Sequence, residues 1–183
     1  MARGRAAGAL EAATPDGASP AGHAAGEAAP NPAYRATIVR AFAGSPFLVD
    51  NGIGFADCGP GWCEASVEMT SRHLQHTGVP HAGLVTTLAD HTAGAAAMTL
   101  AAAGYFVLTT NLNVSLLRGL AARRLLCRAE VVKPGRQVSF AEASVEAELE
   151  SGERKLVARA SVTLSVLRLE RVRSSPSTPL ETR

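Results

Sequence analysis

The chain has 183 residues, of which 46% are apolar, and its formal net charge at pH 7 is +2. This length and apolar content fit one compact domain with a sizeable core. A charge this small, with no basic stripe along any segment, argues against a nucleic-acid partner.

The two ends of the chain differ in composition from its middle. Residues 1–33 are rich in Ala, Gly and Pro and lack the continuous apolar stretch of a signal peptide, so we predict a disordered extension. Residues 171–183 are polar and contain Pro, and we predict a flexible tail there. The folded domain is therefore expected to span residues 34–170.

The first part of this domain changes its pattern from helical to extended. Apolar residues at helical spacing between residues 34 and 53, interrupted by Gly44 and Pro46, predict a short helix followed by a loop. After the turn "CGPG", apolar and polar residues alternate up to Met69, which predicts a half-buried strand.

Alternation returns in the second half of the chain. It runs through "NLNVSL", "LLCRAEVV", "AEASVEAEL" and "LVARASVTLSV", and the last three of these segments are joined by the turns "KPGR" and "ESGE". Turns this short connect antiparallel strands, because parallel neighbours need a crossover of a dozen residues or more. We therefore predict an antiparallel sheet with one face toward solvent.

A long apolar run lies between these two regions. From Leu84 to about Ala103 it has the length of a helix of ~30 Å and is apolar nearly all round, so it must be buried on most sides. A sheet that curls around the helix, together with a second copy of the chain, would bury it. A membrane span is excluded, because Asp90 and His91 would lie in hydrocarbon at a cost of several kcal/mol.

Asp90 is the unusual residue of this helix, because the residues one turn away are small: Thr86, Thr87, Ala93 and Gly94. A structural explanation is that the carboxylate accepts hydrogen bonds from a neighbouring strand or helix. A functional one starts from the "HTGVPHAG" entry, where the N–H groups of Ala82 and Gly83 lack intrahelical partners and could hold an anion or a developing oxyanion. The pattern alone leaves both open.

The motif "Q-x-x-G-x-x-H-A-G-x-x-x-x-L-A-D", from Gln75 to Asp90, resembles the signature of hotdog-fold acyl-CoA thioesterases, specifically the PaaI-like (phenylacetyl-CoA thioesterase) branch. The resemblance spans roughly Gly54 to Leu167. It implies an α+β hotdog fold, a long central helix wrapped by a curved antiparallel sheet, dimerised into a continuous sheet and often paired again into a homotetramer. It also implies hydrolysis of a small, aromatic or medium-chain acyl-CoA without a cofactor.

The resemblance also implies roles for individual residues. Asp90 matches the acid that activates water or attacks the thioester carbonyl, and Ala82 matches the position, usually Gly, whose N–H polarises that carbonyl. Gln75 matches a position, often Asn, that orients the water or the thioester, and Thr109 matches a hydroxyl near the acid. In the family the acid reaches across the dimer interface toward the other subunit's N–H donor.

Further residues are candidates for binding the substrate. His81 matches the motif histidine and is expected to organise the loop before the helix, next to the N–H of Gly83. Guanidinium groups beside loops could hold the phosphates of coenzyme A. These are Arg118, Arg123, Arg124 and Arg136, with Arg118 and Arg136 as the preferred pair. The small residues Ala95, Ala96 and Ala97 are expected to leave space for the acyl group.

A metal site is not predicted. His73, His76, His81 and His91 crowd one region, but their spacing fits neither H-E-x-x-H nor a Cys/His finger. The cysteines Cys58, Cys63 and Cys127 form no even disulfide framework, so reduced thiols and a cytoplasmic location are expected.

Two other functions remain open at this point. Hotdog domains also serve as non-catalytic acyl-CoA-binding or regulatory modules, because a fold alone does not determine function. A hydratase or dehydratase of the same fold would need a histidine paired with an acid in a different arrangement.

Overall fold

The computed structural model describes residues 29–170. The predicted tail at 171–183, and the predicted extension except for its last five residues, lie outside the described residues. The elements in chain order are α1 (Tyr34–Gly44), α2 (Pro46–Asp50), β1 (Ile53–Gly59), β2 (Trp62–Glu68), α3 (Ala82–Met98), β3 (Tyr105–Leu116), β4 (Arg124–Lys133), β5 (Val138–Glu148) and β6 (Arg154–Arg168).

The six strands form one antiparallel sheet in the order β1-β2-β4-β5-β6-β3. Helix α3 packs on one face of this sheet and contacts every strand. The core lies between them, with Leu88, Leu125 and Leu164 each 0% exposed. Burying a side chain of this size contributes roughly 1.5–3 kcal/mol. The arrangement is the predicted α+β hotdog fold.

Helix α3 is shorter at its C-terminal end than predicted. It begins at Ala82 and ends at Met98, whereas the apolar run continues to Ala103. The fully buried Thr99 donates its hydroxyl to the carbonyl of Ala96 and accepts the Gly61 N–H at 2.7 Å. These bonds tie the end of the helix to the β1–β2 turn, so a tertiary contact ends a helix that composition would extend.

The segment after α1 was wrongly predicted to be a loop. It forms the five-residue helix α2, with Pro46 in the first turn and Leu48 buried against the core. Proline is well tolerated at the first helical position because its missing N–H would have no intrahelical partner there. Pro46, which was expected to end the helical segment, therefore begins a second helix.

Strand β3 lies at one edge of the sheet and is longer than predicted, starting at Tyr105. Leu112 and Val114 are half-buried as expected, but Leu116 and Leu108 are exposed. Within residues 29–170, the outer backbone edge of β3 has no neighbouring strand. A long edge with apolar side chains is a surface that another chain can pair with.

Candidate active site

Asp90 lies at the middle of α3 and faces strand β3. The Thr109 hydroxyl donates a hydrogen bond of 2.8 Å to the Oδ1 atom of Asp90. The carboxylate is partly exposed, and its other oxygen has no hydrogen-bond partner within residues 29–170. The bond restricts the Asp90 rotamer and leaves one carboxylate oxygen free for chemistry.

A β-bulge in β3 brings Thr109 to the acid. The register with β6 shifts between Thr109 and Asn111, where Thr109 pairs with Leu164 and Asn111 with Thr163. One extra residue in a strand reverses the faces of the side chains that follow. Thr109 and Leu112 therefore both point toward the helix although they are an odd number of residues apart.

The start of α3 has only one of the two predicted N–H donors available. The Gly83 N–H donates to Nδ1 of His81 at 2.9 Å, so His81 caps the helix with its side chain. A Cβ atom on Gly83 would lie 3.0 Å from that nitrogen, which explains the glycine. The Ala82 N–H has no acceptor within residues 29–170. Ala82 is therefore the open donor, whereas Gly83 belongs to the helix cap.

Gln75 and Arg118 lie beside Ala82 at this end of the helix. A cavity of about 240 Å³ is lined by all three, with Leu116 and Val79 in its wall. The Gln75 amide nitrogen donates to the Thr77 hydroxyl at 2.8 Å, which fixes the side chain and leaves the amide oxygen without a partner among residues 29–170. The predicted Gln75, Ala82 and Arg118 thus converge on one cavity.

Arg136 lies far from that cavity. It lines a different cavity, of about 450 Å³, together with Ala97, Leu100 and Tyr105 at the C-terminal end of α3. The 17-residue helix separates the two ends by about 25 Å at 1.5 Å per residue. One protomer therefore does not bring Arg118 and Arg136 together.

Arg123 and Arg124 are engaged in the sheet. Both donate to the buried carboxylate of Glu148, and Arg124 does so at 2.9 Å. Chiefly through the bond from Arg124, this pairing holds the pKa of Glu148 below its usual value. These two arginines neutralise a buried acid, whereas Arg118 and Arg136 form no ion pair with residues 29–170.

The small residues predicted to make room for an acyl group are mostly in the core. Ala95 and Ala96 are buried, and Ala97 contacts the cavity near Arg136. Gly94 is partly exposed one turn after Asp90, and a Cβ there would meet only Leu164, at 3.9 Å. Space beside the acid is therefore provided by Gly94 rather than by the alanines.

The four histidines have separate surroundings. His81 caps α3, His73 is buried in the preceding loop, His76 is exposed, and His91 packs edge-on against Phe42. Nowhere in residues 29–170 do three or more His, Cys, Asp or Glu side chains converge in a way that could hold a metal ion.

The three thiols are buried, and burial raises the pKa of Cys63 and of Cys127 to about 12. No helix within the described range has the length and hydropathy to span a bilayer.

His91 makes the stability of the fold depend on pH. Burial lowers its pKa, and the adjacent Asp90 raises it to a smaller extent. Its Nε2 atom is buried without a hydrogen-bond partner in the described part of the chain. The unfolded chain therefore binds a proton below about pH 6.5 that the folded chain still excludes, and the free energy of unfolding falls as the pH falls through that window. We expect the melting temperature of the wild type to drop between pH 7 and pH 5, and His91→Leu to reduce that drop.

Thermal denaturation at a series of pH values measures this effect. His76→Leu, at an exposed histidine, is the matched control and should keep the wild-type pH dependence. An unchanged slope in His91→Leu would show that His91 does not contribute to this pH dependence.

Comparisons with known proteins identify the family and the fold of the chain. The family model described as "Thioesterase superfamily" matches residues 77–158, which include both the helix start and Asp90. A thioesterase family protein from Silicibacter pomeroyi is 34% identical, with a TM-score of 0.70, covering 74% of this chain and 98% of that one. A thioesterase from Haemophilus influenzae is 25% identical, with a TM-score of 0.64, covering 72% of this chain and 89% of that one. A Streptococcus mutans protein solved with bound acetyl CoA is 20% identical, with a TM-score of 0.56 over 63% of this chain and 89% of that one, and shares the fold.

Proposed function

Since the chain belongs to the hotdog thioesterase superfamily, we propose that it hydrolyses acyl-CoA thioesters to a free acid and CoA, as in the PaaI-like branch. The observation that carries this proposal is the pair formed by a hydroxyl-oriented acid and an open peptide donor. Thioester hydrolysis needs a positioned water or nucleophile and a donor for the carbonyl oxygen. Asp90 and the Ala82 N–H supply these two functions, and the reaction needs no cofactor.

The acid and the donor that act together come from different protomers. Ala82 and Asp90 are eight residues apart on α3, which is about 12 Å along the axis. The N–H groups of the first turn point out of the N-terminal end of the helix, away from Asp90. A carbonyl held by Ala82 is therefore out of position for the Asp90 of the same protomer.

The free edge of β3 supports a dimer in which Ala82 of one protomer and Asp90 of the other come together. Strand β3 runs back along α3, because Tyr105 lines a cavity with Ala97 and Leu116 lines one with Ala82. If two β3 edges pair antiparallel, the start of each α3 approaches the second half of the other protomer's α3. Each Asp90 then faces the Ala82 N–H of the second protomer, and the sheet continues across a homodimer. A further pairing of dimers into a homotetramer is part of the proposal.

The same pairing brings together the two arginines that one protomer separates. Arg136 lies near the Tyr105 end of β3, and Arg118 follows the Leu116 end. Antiparallel pairing places the Tyr105 end of one strand beside the Leu116 end of the other. Arg136 and the second protomer's Arg118 then flank one entrance, where guanidinium groups hold CoA phosphates. The acetyl CoA in the Streptococcus mutans protein supports this ligand class for the fold.

Within this site each remaining residue has a role. Gln75 orients the water or the thioester with its free amide oxygen, and Thr109 holds Asp90 in the reactive rotamer. His81 and Gly83 hold the first turn of α3, which presents the Ala82 N–H. The acyl group, small, aromatic or medium-chain, lies beside Gly94.

A thiol-release assay with acetyl-CoA, phenylacetyl-CoA and octanoyl-CoA tests the proposal. We expect free CoA from at least one of them at a rate well above the uncatalysed reaction. Saturable binding without release would instead favour an acyl-CoA-binding module, and water addition to an enoyl-CoA would favour a hydratase.

A further inference from the structure

We infer that His73 is a positioning residue of this site: its buried side chain and its main-chain carbonyl together hold the short hairpin that carries Gln75 and leads into Ala82. The inference rests on the proposed function, because it concerns the alignment of the Ala82 N–H. The hairpin consists of residues 73–81.

The imidazole of His73 is fixed at the base of this hairpin. His73 is only 5% exposed, and the Nδ1 atom of its ring accepts a hydrogen bond from the Thr70 N–H at 3.1 Å. The His73 N–H in turn donates to the Thr70 carbonyl at 3.0 Å. Because Nδ1 accepts a hydrogen bond, the neutral ring carries its proton on Nε2. These bonds lock the ring and the backbone of His73 together.

The main chain of His73 transmits this position to the helix. Its carbonyl accepts the His81 N–H at 2.8 Å, and His81 is the residue that caps α3. Between them, Leu74 bridges Pro80, and the Gln75 N–H donates to Val79 at 2.9 Å. The hairpin is therefore closed at its base by the bond between His73 and His81. A shift of His73 would move both Gln75 and the first turn of α3.

A direct chemical role for His73 does not fit its surroundings. Its Nε2 atom is buried and has no hydrogen-bond partner among residues 29–170. Burial lowers the pKa of the ring first of all, and the charge of Arg72 lowers it further. A ring that stays neutral keeps Nδ1 as an acceptor. His73 therefore acts through the backbone and not on the substrate.

The test compares His73→Leu with His73→Asn. Leu removes the acceptor, whereas Oδ1 of Asn takes the place of Nδ1 and can still accept the Thr70 N–H. Loss of one oxyanion donor costs about 10²–10³-fold in kcat, so we expect His73→Leu to lose on the order of 10². KM should change little, because the donor acts mainly in the transition state. His73→Asn should recover most of the lost kcat.

Hydrogen exchange measured by mass spectrometry provides a readout besides activity. Exchange over residues 73–83 should rise in His73→Leu and return toward wild type in His73→Asn. His76→Leu, at the exposed histidine of the same hairpin, should leave both readouts unchanged. If His73→Leu does not fold, Thr70→Ala removes the Thr70 hydroxyl, which lies 3.4 Å from Nδ1 of His73, and should lower kcat in the same direction.

The outcomes separate the two proposals. A folded His73→Leu variant with wild-type kcat, or a His73→Asn variant as impaired as His73→Leu, overturns the inference while hydrolysis by the wild type stands. A wild type that releases no CoA from any acyl-CoA overturns the proposed function itself.

Discussion

Replacing Asp90 by Asn is expected to lower kcat for acyl-CoA hydrolysis by about 10³-fold, within the range typical of a lost general base or nucleophile. The amide oxygen of Asn still accepts the hydrogen bond from Thr109, so the fold and the position of the side chain should be kept. KM should change little, because the substrate contacts remain. The measurement is free CoA release under saturating substrate, with the melting temperature as the control for folding.

The outcome of this experiment and a second experiment on the wild type inform the mechanism. Hydrolysis retained at near wild-type kcat would remove Asp90 from the reaction. A single turnover of the wild type in ¹⁸O-labelled water separates the two chemical routes. A general base sends the label directly into the acid product. A nucleophilic carboxylate displaces CoA to form a mixed anhydride, and water attack on its aspartyl carbonyl leaves unlabelled product in the first turnover and puts the label on Asp90.

Replacing Ala82 by Pro is expected to remove the oxyanion donor without removing the helix. Ala82 is the first residue of α3, where proline is tolerated, and His81 before it has the extended backbone (φ −65°, ψ 135°) that precedes proline readily. The missing N–H should lower kcat by about 10²–10³-fold. Ala82→Ser, which keeps the N–H, is the matched control and should stay close to wild type. Equal loss in both variants would indicate crowding by the side chain instead.

Mixing the two inactive variants tests whether the site is shared. In a mixed dimer, the Asp90 of the Ala82→Pro protomer meets the intact Ala82 N–H of the Asp90→Asn protomer, so one of the two sites is complete. Random mixing should restore about a quarter of the wild-type activity, because half of the dimers are mixed. A site built within one protomer would give no recovery.

The fold could be predicted from the sequence because its signals are local and mutually consistent. Alternation along the last strands and the short turns between them leave an antiparallel sheet as the simplest arrangement, and one long apolar helix must then be covered by it. The helix end was not predictable in this way. It depends on the bond between Thr99 and Gly61, residues that are distant in sequence.

The arrangement of the candidate site could be predicted in part, where its residues are close in sequence. His81 and Asp90 lie on one helix and its cap, so a motif specifies their spacing. By contrast, the engagement of the Gly83 N–H depends on the rotamer of His81, and the engagement of Arg123 depends on Glu148 from another strand. His73 was considered only as a metal ligand, because spacing does not report that its ring is enclosed by the turn at Thr70.

The bulge in β3 affects how relatives of this chain should be compared. Thr109 reaches the acid only because one surplus position separates it from the regular alternation that begins at Leu112. An alignment that places a gap a single position away would pair this hydroxyl with a solvent-facing residue in a homologue. The alignment would then show no hydroxyl in a relative whose structure has one beside the acid. Equivalents of Thr109 should therefore be identified by superposing the structures.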